Sequence, residues 1–142
     1  MGSAKSQAAE ALFRLSPQIV RAVGCGSSNK ELGLTFQQIR TLMYVADCPR
    51  CLGDIARERS VSAASASVLI DGLEKDGFVS RTTDVVDGRR IIVRLTEKGT
   101  RAYESIRTVC EASLSDMVDG LSVDELTTLA ELLTKVRELS AR

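Results

Sequence analysis

The sequence predicts a mainly α-helical fold carrying one small β-hairpin, and three patterns carry that expectation. Apolar residues recur at helical spacing in several stretches separated by turn signals. One stretch instead sets aromatic and β-branched residues, Phe78-Val79 and Ile91-Ile92-Val93, on either side of a polar Asp87-Gly88 turn. Serine and threonine stand where helical stretches begin, at Ser62, Thr96 and Ser122, in position to cap them. A length of 142 residues fits a single domain, 1–142, that buries about two-thirds of its unfolded surface.

The elements follow in order. Residues 8–23 carry Leu12, Leu15, Ile19, Val20 and Val23 mostly on one side, with Pro17 near a kink or a helix start. A second helix is expected over 36–47, and a short third over 52–58. Residues 61–75 form a longer helix capped by Ser62, in which Ala66, Leu69, Ile70 and Leu73 define the buried face and Gly77 ends the run. After the hairpin, Thr96 caps a helix over 97–118, with Glu97 in its first turn where the helix dipole favours an acid. The last helix, 123–139, begins with a Ser122/Glu125 capping box and carries a stripe of Leu126, Leu129, Leu132, Leu133, Val136 and Leu139.

The pair 52–58 and 61–75 has the geometry of a helix-turn-helix, whose second helix offers its N-terminal residues to the major groove of double-stranded DNA. A step of about 100° per residue puts Ala64, Ser65, Ser67, Val68, Asp71 and Lys75 on its outer face. Ser62, Ala64, Ser65, Ser67 and Val68 are therefore candidate DNA-reading residues, the serines as hydrogen-bonding groups and Val68 against a thymine methyl. The outer face is small and uncharged at Ala63, Val68 and Gly72, which fits either deep seating in the groove or weak binding.

The segments Leu52-Gly-Asp-Ile-Ala, Val61-Ser-Ala-Ala-Ser-Ala-Ser-Val-Leu-Ile-Asp-Gly-Leu-Glu-Lys-Asp-Gly-Phe-Val, Asp84-Val-Val-Asp-Gly-Arg-Arg and Leu95-Thr-Glu-Lys-Gly together resemble the MarR family of winged helix-turn-helix regulators. The resemblance covers residues 36–99. It implies a winged helix-turn-helix flanked by N- and C-terminal dimerisation helices (8–24 and 100–142). It also implies a cytoplasmic homodimer that binds a palindromic operator, as a rule as a repressor, and releases it when a small molecule, oxidant or metal acts. Carried over from the family, Arg89 and Arg90 are the groove and phosphate residues of the wing, and Asp87 braces them.

The chain holds 19 basic and 19 acidic residues, so attraction to phosphate must come from local asymmetry. Between Arg81 and Arg101 the basic residues Arg81, Arg89, Arg90, Arg94, Lys98 and Arg101 outnumber Asp84, Asp87 and Glu97. Arginines at a hairpin tip suit a narrow minor groove; the alternative is a solvated turn that serves solubility. The terminal stripes likewise either fold back on their own chain or pack across a two-fold axis. The second arrangement sets two recognition helices about 34 Å apart.

Three readings stand for Cys25, Cys48, Cys51 and Cys110. They are small apolar core residues. Or Cys48-Pro49-Arg50-Cys51 is a redox or metal pair, with Arg50 beside the thiols. Or all four gather around zinc or an iron–sulfur cluster. The absence of histidine removes the commonest zinc ligand and the usual base of a hydrolase triad. No phosphate-cradling glycine loop, nucleophile elbow or dinucleotide fingerprint is present, so no enzyme is expected. No stretch approaches the roughly 20 apolar residues of a membrane span, and a cytoplasmic location is the expectation.

The resemblance further implies a crevice between dimer helices and reading head that takes a phenolic or other aromatic acid. Leu12, Phe13, Phe36, Leu42, Met43 and Val109 occupy the corresponding positions, with plain core packing as the alternative for each. The competing function is a protein-interaction module with the same fold that does not read DNA.

Overall fold

The computed structural model describes residues 2–24 and 27–141. In chain order it contains α1 (Ala4–Gly24), α2 (Ser27–Leu32), α3 (Phe36–Asp47), β1 (Arg50–Cys51), α4 (Leu52–Arg59), α5 (Ala63–Lys75), β2 (Val79–Thr83), β3 (Ile91–Leu95), α6 (Glu97–Asp116) and α7 (Val123–Ser140). The mainly helical class and the hairpin are as the sequence predicts. Helix α2 and strand β1 are additions to that expectation.

The hairpin belongs to a three-stranded antiparallel sheet of order β1-β3-β2. Its long pair runs from Val79↔Leu95 to Thr83↔Ile91, and β1 adds Arg50↔Val93 and Cys51↔Ile92 on the far side of β3. Phe78 stands just ahead of the ladder rather than in it, buried in the core. The connection differs from a tight Asp-Gly hairpin turn. Asp84 N–H donates to the Arg90 carbonyl and Arg90 N–H to that of Asp87 (2.9 and 3.0 Å), so a broader loop ends in a four-residue turn beginning at Asp87. Gly88 is not among the positive-φ glycines, Gly33 and Gly77, so the mirror-image turns that suit two-residue hairpins are not used here.

The core lies under the reading head. Ile39, Leu42 and Val45 of α3, Ile55 of α4, Ile70 and Leu73 of α5, Val79 and Val93 of the sheet and Ile106 of α6 form one buried cluster. Burying each such side chain contributes about 1.5–3 kcal/mol. α3 is fixed at its start by a capping box, in which Thr35 Oγ1 accepts from Gln38 N–H (3.2 Å) and Gln38 Oε1 from Thr35 N–H (2.9 Å). The Ser122/Glu125 box predicted for α7 is present.

Helix ends shape the head. α5 starts at Ala63, after Ser62, which caps it. It ends in a Schellman arrangement: Phe78 N–H donates to the Leu73 carbonyl and Gly77 N–H to that of Glu74, with Gly77 at φ 82°. α4 ends the same way, Val61 N–H reaching the Ala56 carbonyl and Ser60 N–H that of Arg57, but the left-handed position is filled by Ser60 at φ 53°. A side chain there is disfavoured relative to glycine. Ser60→Gly is expected to stabilise the fold by about 0.5–1 kcal/mol, read as a higher urea midpoint with an unchanged slope.

α1 and α7 have no buried residue. Pro17 lies inside α1 and removes the N–H that would meet the Phe13 carbonyl; Ser16 Oγ donates to that carbonyl instead, at 2.8 Å. The stripe on α7 is not folded back into a core: Leu132, Leu133, Val136 and Leu139 are all exposed in the single chain.

Candidate nucleic-acid interface

The turn Ser60–Ser62 carries the chain from α4 into α5, and the first residues of α5 face outward. Ala64, Ser65 and Val68 are exposed, Val68 by 70%, whereas Ser67 is half-buried. Ser62 Oγ accepts from Ser65 N–H (3.1 Å) and donates to Ser65 Oγ (3.0 Å). Ser62 is therefore spent on the cap. Ser65, whose oxygen receives that bond, keeps its own hydroxyl proton to donate outward.

The wing's two arginines divide. Arg89 stands clear, its side chain 96% exposed, with Nε 3.7 Å from Asp87 Oδ1. Asp87 Oδ1 also accepts from Arg89 N–H at 3.1 Å, so the carboxylate shapes the loop as well as facing the charge. Arg90 is the less exposed of the two and lies 3.9 Å from Asp84, with Cys51 lining the same cleft. Asp84 is a second brace, accepting from Val86 N–H at 3.0 Å. Val85 and Val86 beside it are fully exposed.

The basic excess read along the chain does not survive folding intact. Arg81, on β2, is only 21% exposed at its side chain and faces α5. Its guanidinium donates to the Ser67 carbonyl at 2.9 Å and to Asp71, and lies near Glu74, while Glu74 also accepts from the Arg81 N–H. Arg81 is thus a clamp between wing and recognition helix, neutralised by acids on another element, and not a free cation. Lys98 donates to the Asp76 carbonyl over the Phe78 ring, and Arg101 pairs with Glu97. Arg81→Met is expected to cost about 1–2 kcal/mol, since a hydrogen bond to a charged group is lost and two partly exposed carboxylates lose their partner. Urea unfolding measures this.

Arg57, Arg89 and Arg90 line one open cleft of about 410 Å³ together with Gly53 of α4, Ala63 at the start of α5, and Cys51. The cleft joins wing and recognition helix on one face. Arg57, absent from the sequence-based candidates, pairs with Asp54 three residues earlier. The Cys51 thiol heads the causes that hold the Asp54 carboxyl below its usual range, with Arg57 contributing. A second cleft, about 240 Å³, holds Arg40, Met43, Tyr44, Glu58 and Arg59. Burial first and Arg40's charge second push the Arg59 guanidinium below its usual pKa.

The six crevice candidates do not enclose one cavity in the single chain. Leu42 is fully buried in the core, Phe36 and Val109 are half-buried, Leu12 and Phe13 stand exposed on α1, and Met43 lines the Arg40–Arg59 cleft. The cysteines are likewise dispersed. Cys48 is exposed at the end of α3, Cys51 half-buried in β1, and Cys110 buried on α6, where its thiol meets the Val23 carbonyl at 3.8 Å and burial raises its pKa. Cys25 lies outside the described residues. Among the described residues no three Cys, Asp or Glu side chains converge to hold a metal, and no helix is long and apolar enough to cross a membrane.

The sequence model of the MarR family matches residues 32–90, which span both helices of the reading head and the wing loop. The uncharacterized HTH-type transcriptional regulator YkoM of Bacillus subtilis is 31% identical over 128 residues, 87% of this chain and 82% of that protein. The HTH-type transcriptional repressor YetL of the same organism is 30% identical over 80 residues, 56% of this chain and 48% of that protein. Among solved structures, a mutant of MepR from Staphylococcus aureus bound to an oligodeoxyribonucleotide is similar at a TM-score of 0.62 and 25% identity, over 94% of this chain and 97% of that one.

Proposed function

Because the chain belongs to the MarR family of transcriptional regulators, which are DNA-binding proteins and not enzymes, we propose that it acts as a homodimer that represses transcription by seating two recognition helices on a palindromic operator. The shared cleft carries this reading: three arginines from α4 and the wing stand beside the N-terminus of α5. That is the arrangement in which phosphate contacts position a helix whose first turn meets base edges. In it Ser65 donates to a base acceptor, Val68 packs on a thymine methyl, Arg89 enters the adjoining minor groove, and Arg57 and Arg90 meet phosphates.

The uncovered faces of α1 and α7 support the dimer. Phe13 is 78% exposed and Leu139 58%, and contiguous apolar faces of this kind mark interaction surfaces. Release follows when a signal changes the spacing of the two heads. A hundredfold loss of affinity requires about 2.7 kcal/mol of differential binding between the two arrangements.

Light scattering of the purified chain tests the dimer, and titration with a duplex carrying two half-sites one turn apart tests the docking. One dimer per duplex is the expected stoichiometry. A monomer with the apolar faces still exposed, or equal affinity for a single half-site, would contradict the proposal.

A further inference from the structure

Cys48 and Cys51 flank Pro49-Arg50, and the backbone at both cysteines is extended. Cys48 has φ −166° and ψ 161°, Cys51 has φ −74° and ψ 153°. Arg50 and Cys51 are paired with Val93 and Ile92. Three fully extended steps span up to about 10 Å, whereas a disulfide requires the two Cα atoms within about 7 Å. Closing a ring across this run therefore requires it to bend, which draws Arg50 and Cys51 away from their partners on β3.

β1 is also the strand most easily lost. It holds two residues at the sheet edge, while β2 pairs with β3 along its whole length. Both thiols are free, Cys48 exposed and Cys51 half-buried. Cys51 lines the cleft with Arg89 and Arg90, and its thiol is the first cause that lowers the Asp54 carboxyl and raises the Arg90 guanidinium. What happens at this sulfur thus reaches the root of the wing directly. Cys110, enclosed in the core, has no such access.

We propose that a hydroperoxide converts this pair to a Cys48–Cys51 disulfide that frees β1 from β3 and loosens the wing. The Cys51 sulfur attacks the peroxide, the O–O bond breaks, and an alcohol or water departs, leaving a sulfenic acid. The Cys48 sulfur then attacks Cys51, the S–O bond breaks, water leaves and the S–S bond forms. Two thiols and one hydroperoxide become one disulfide, one alcohol (or water) and one water. Only the final consequence, loss of operator affinity, rests on the DNA-binding reading.

The test treats the reduced full-length chain with hydrogen peroxide. It follows non-reduced peptide masses, amide exchange in residues 91–95 and affinity for the upstream duplex. The expected result is a Cys48–Cys51 linkage, faster exchange across β3 and a roughly tenfold or greater loss of affinity, all reversed by a thiol reductant. Cys48→Ser should keep the affinity of the reduced protein and lose the linkage, the exchange change and the peroxide response together. Linkage to another cysteine or another chain, or a Cys48–Cys51 ring with unchanged β3 exchange, would overturn the proposal. If the reduced protein binds no duplex, the DNA reading fails while mass and exchange still decide the switch.

Discussion

Gly99→Ala should cost the fold about 3 kcal/mol or more, the range of severe overpacking. The first turn of α6 is laid directly on the backbone that leads into the wing. Thr96 N–H donates to the Phe78 carbonyl at 3.1 Å, Thr96 Oγ1 donates to the Gly77 carbonyl at 2.5 Å, and the same oxygen accepts from Gly99 N–H at 3.0 Å. A Cβ on Gly99 would lie 1.9 Å from the Phe78 oxygen and 2.9 Å from its carbonyl carbon. Neither side can move aside cheaply, because Phe78 is buried in the core and Gly77 is fixed at positive φ by the end of α5. Gly53→Ala supplies the contrast. It has open space around it in the first turn of α4 and should gain at most about 0.5–1 kcal/mol, the value for a helix interior. Thermal and urea unfolding of the two variants would show opposite shifts; an unperturbed Gly99→Ala protein would mean that α6 does not dock on residues 77–78.

Arg89→Ala should leave the fold intact and weaken duplex binding about tenfold, equivalent to about 1.4 kcal/mol. The side chain is almost wholly exposed and its nearest charge is Asp87 within the same loop, so little stability depends on it. Its loss should be felt on every duplex with a narrow minor groove and should flatten the salt dependence, because a cation near phosphates is removed. Val68→Ala should behave differently, changing preference among sequences more than overall affinity. Circular dichroism guards the comparison, and fluorescence anisotropy with a labelled duplex measures it. Unchanged binding by Arg89→Ala would remove the wing from the mechanism.

The head is legible in the sequence because its signals are local. Ser62, Thr96 and Ser122 cap helices within three residues of themselves, and Ala66, Ile70 and Leu73 mark the buried face by spacing alone. What stays hidden is non-local. β1 is two residues long, too short to show an alternating pattern, and exists because β3 offers it an edge. Helix α2 is six residues long, without a repeated apolar face. Arg81 reads as one of six cations near the wing, yet its partners Ser67, Asp71 and Glu74 sit on another element, where only folding brings them. The same applies to Arg57, whose place beside Arg89 and Arg90 depends on the packing of α4 against the sheet. Arg89 and Arg90 look equivalent in sequence, but one projects and the other returns towards Asp84.

Reading of a DNA operator by the recognition helix and wing can be measured by titrating the reduced protein against its own upstream intergenic duplex and a scrambled one across a salt series. Affinity should fall linearly in log–log form with salt, by about 0.9 for each phosphate neutralised, with a preference of roughly a thousandfold or more for the upstream duplex. Equal affinity for both duplexes, or binding indifferent to salt, would contradict it and favour a winged-helix module that binds protein.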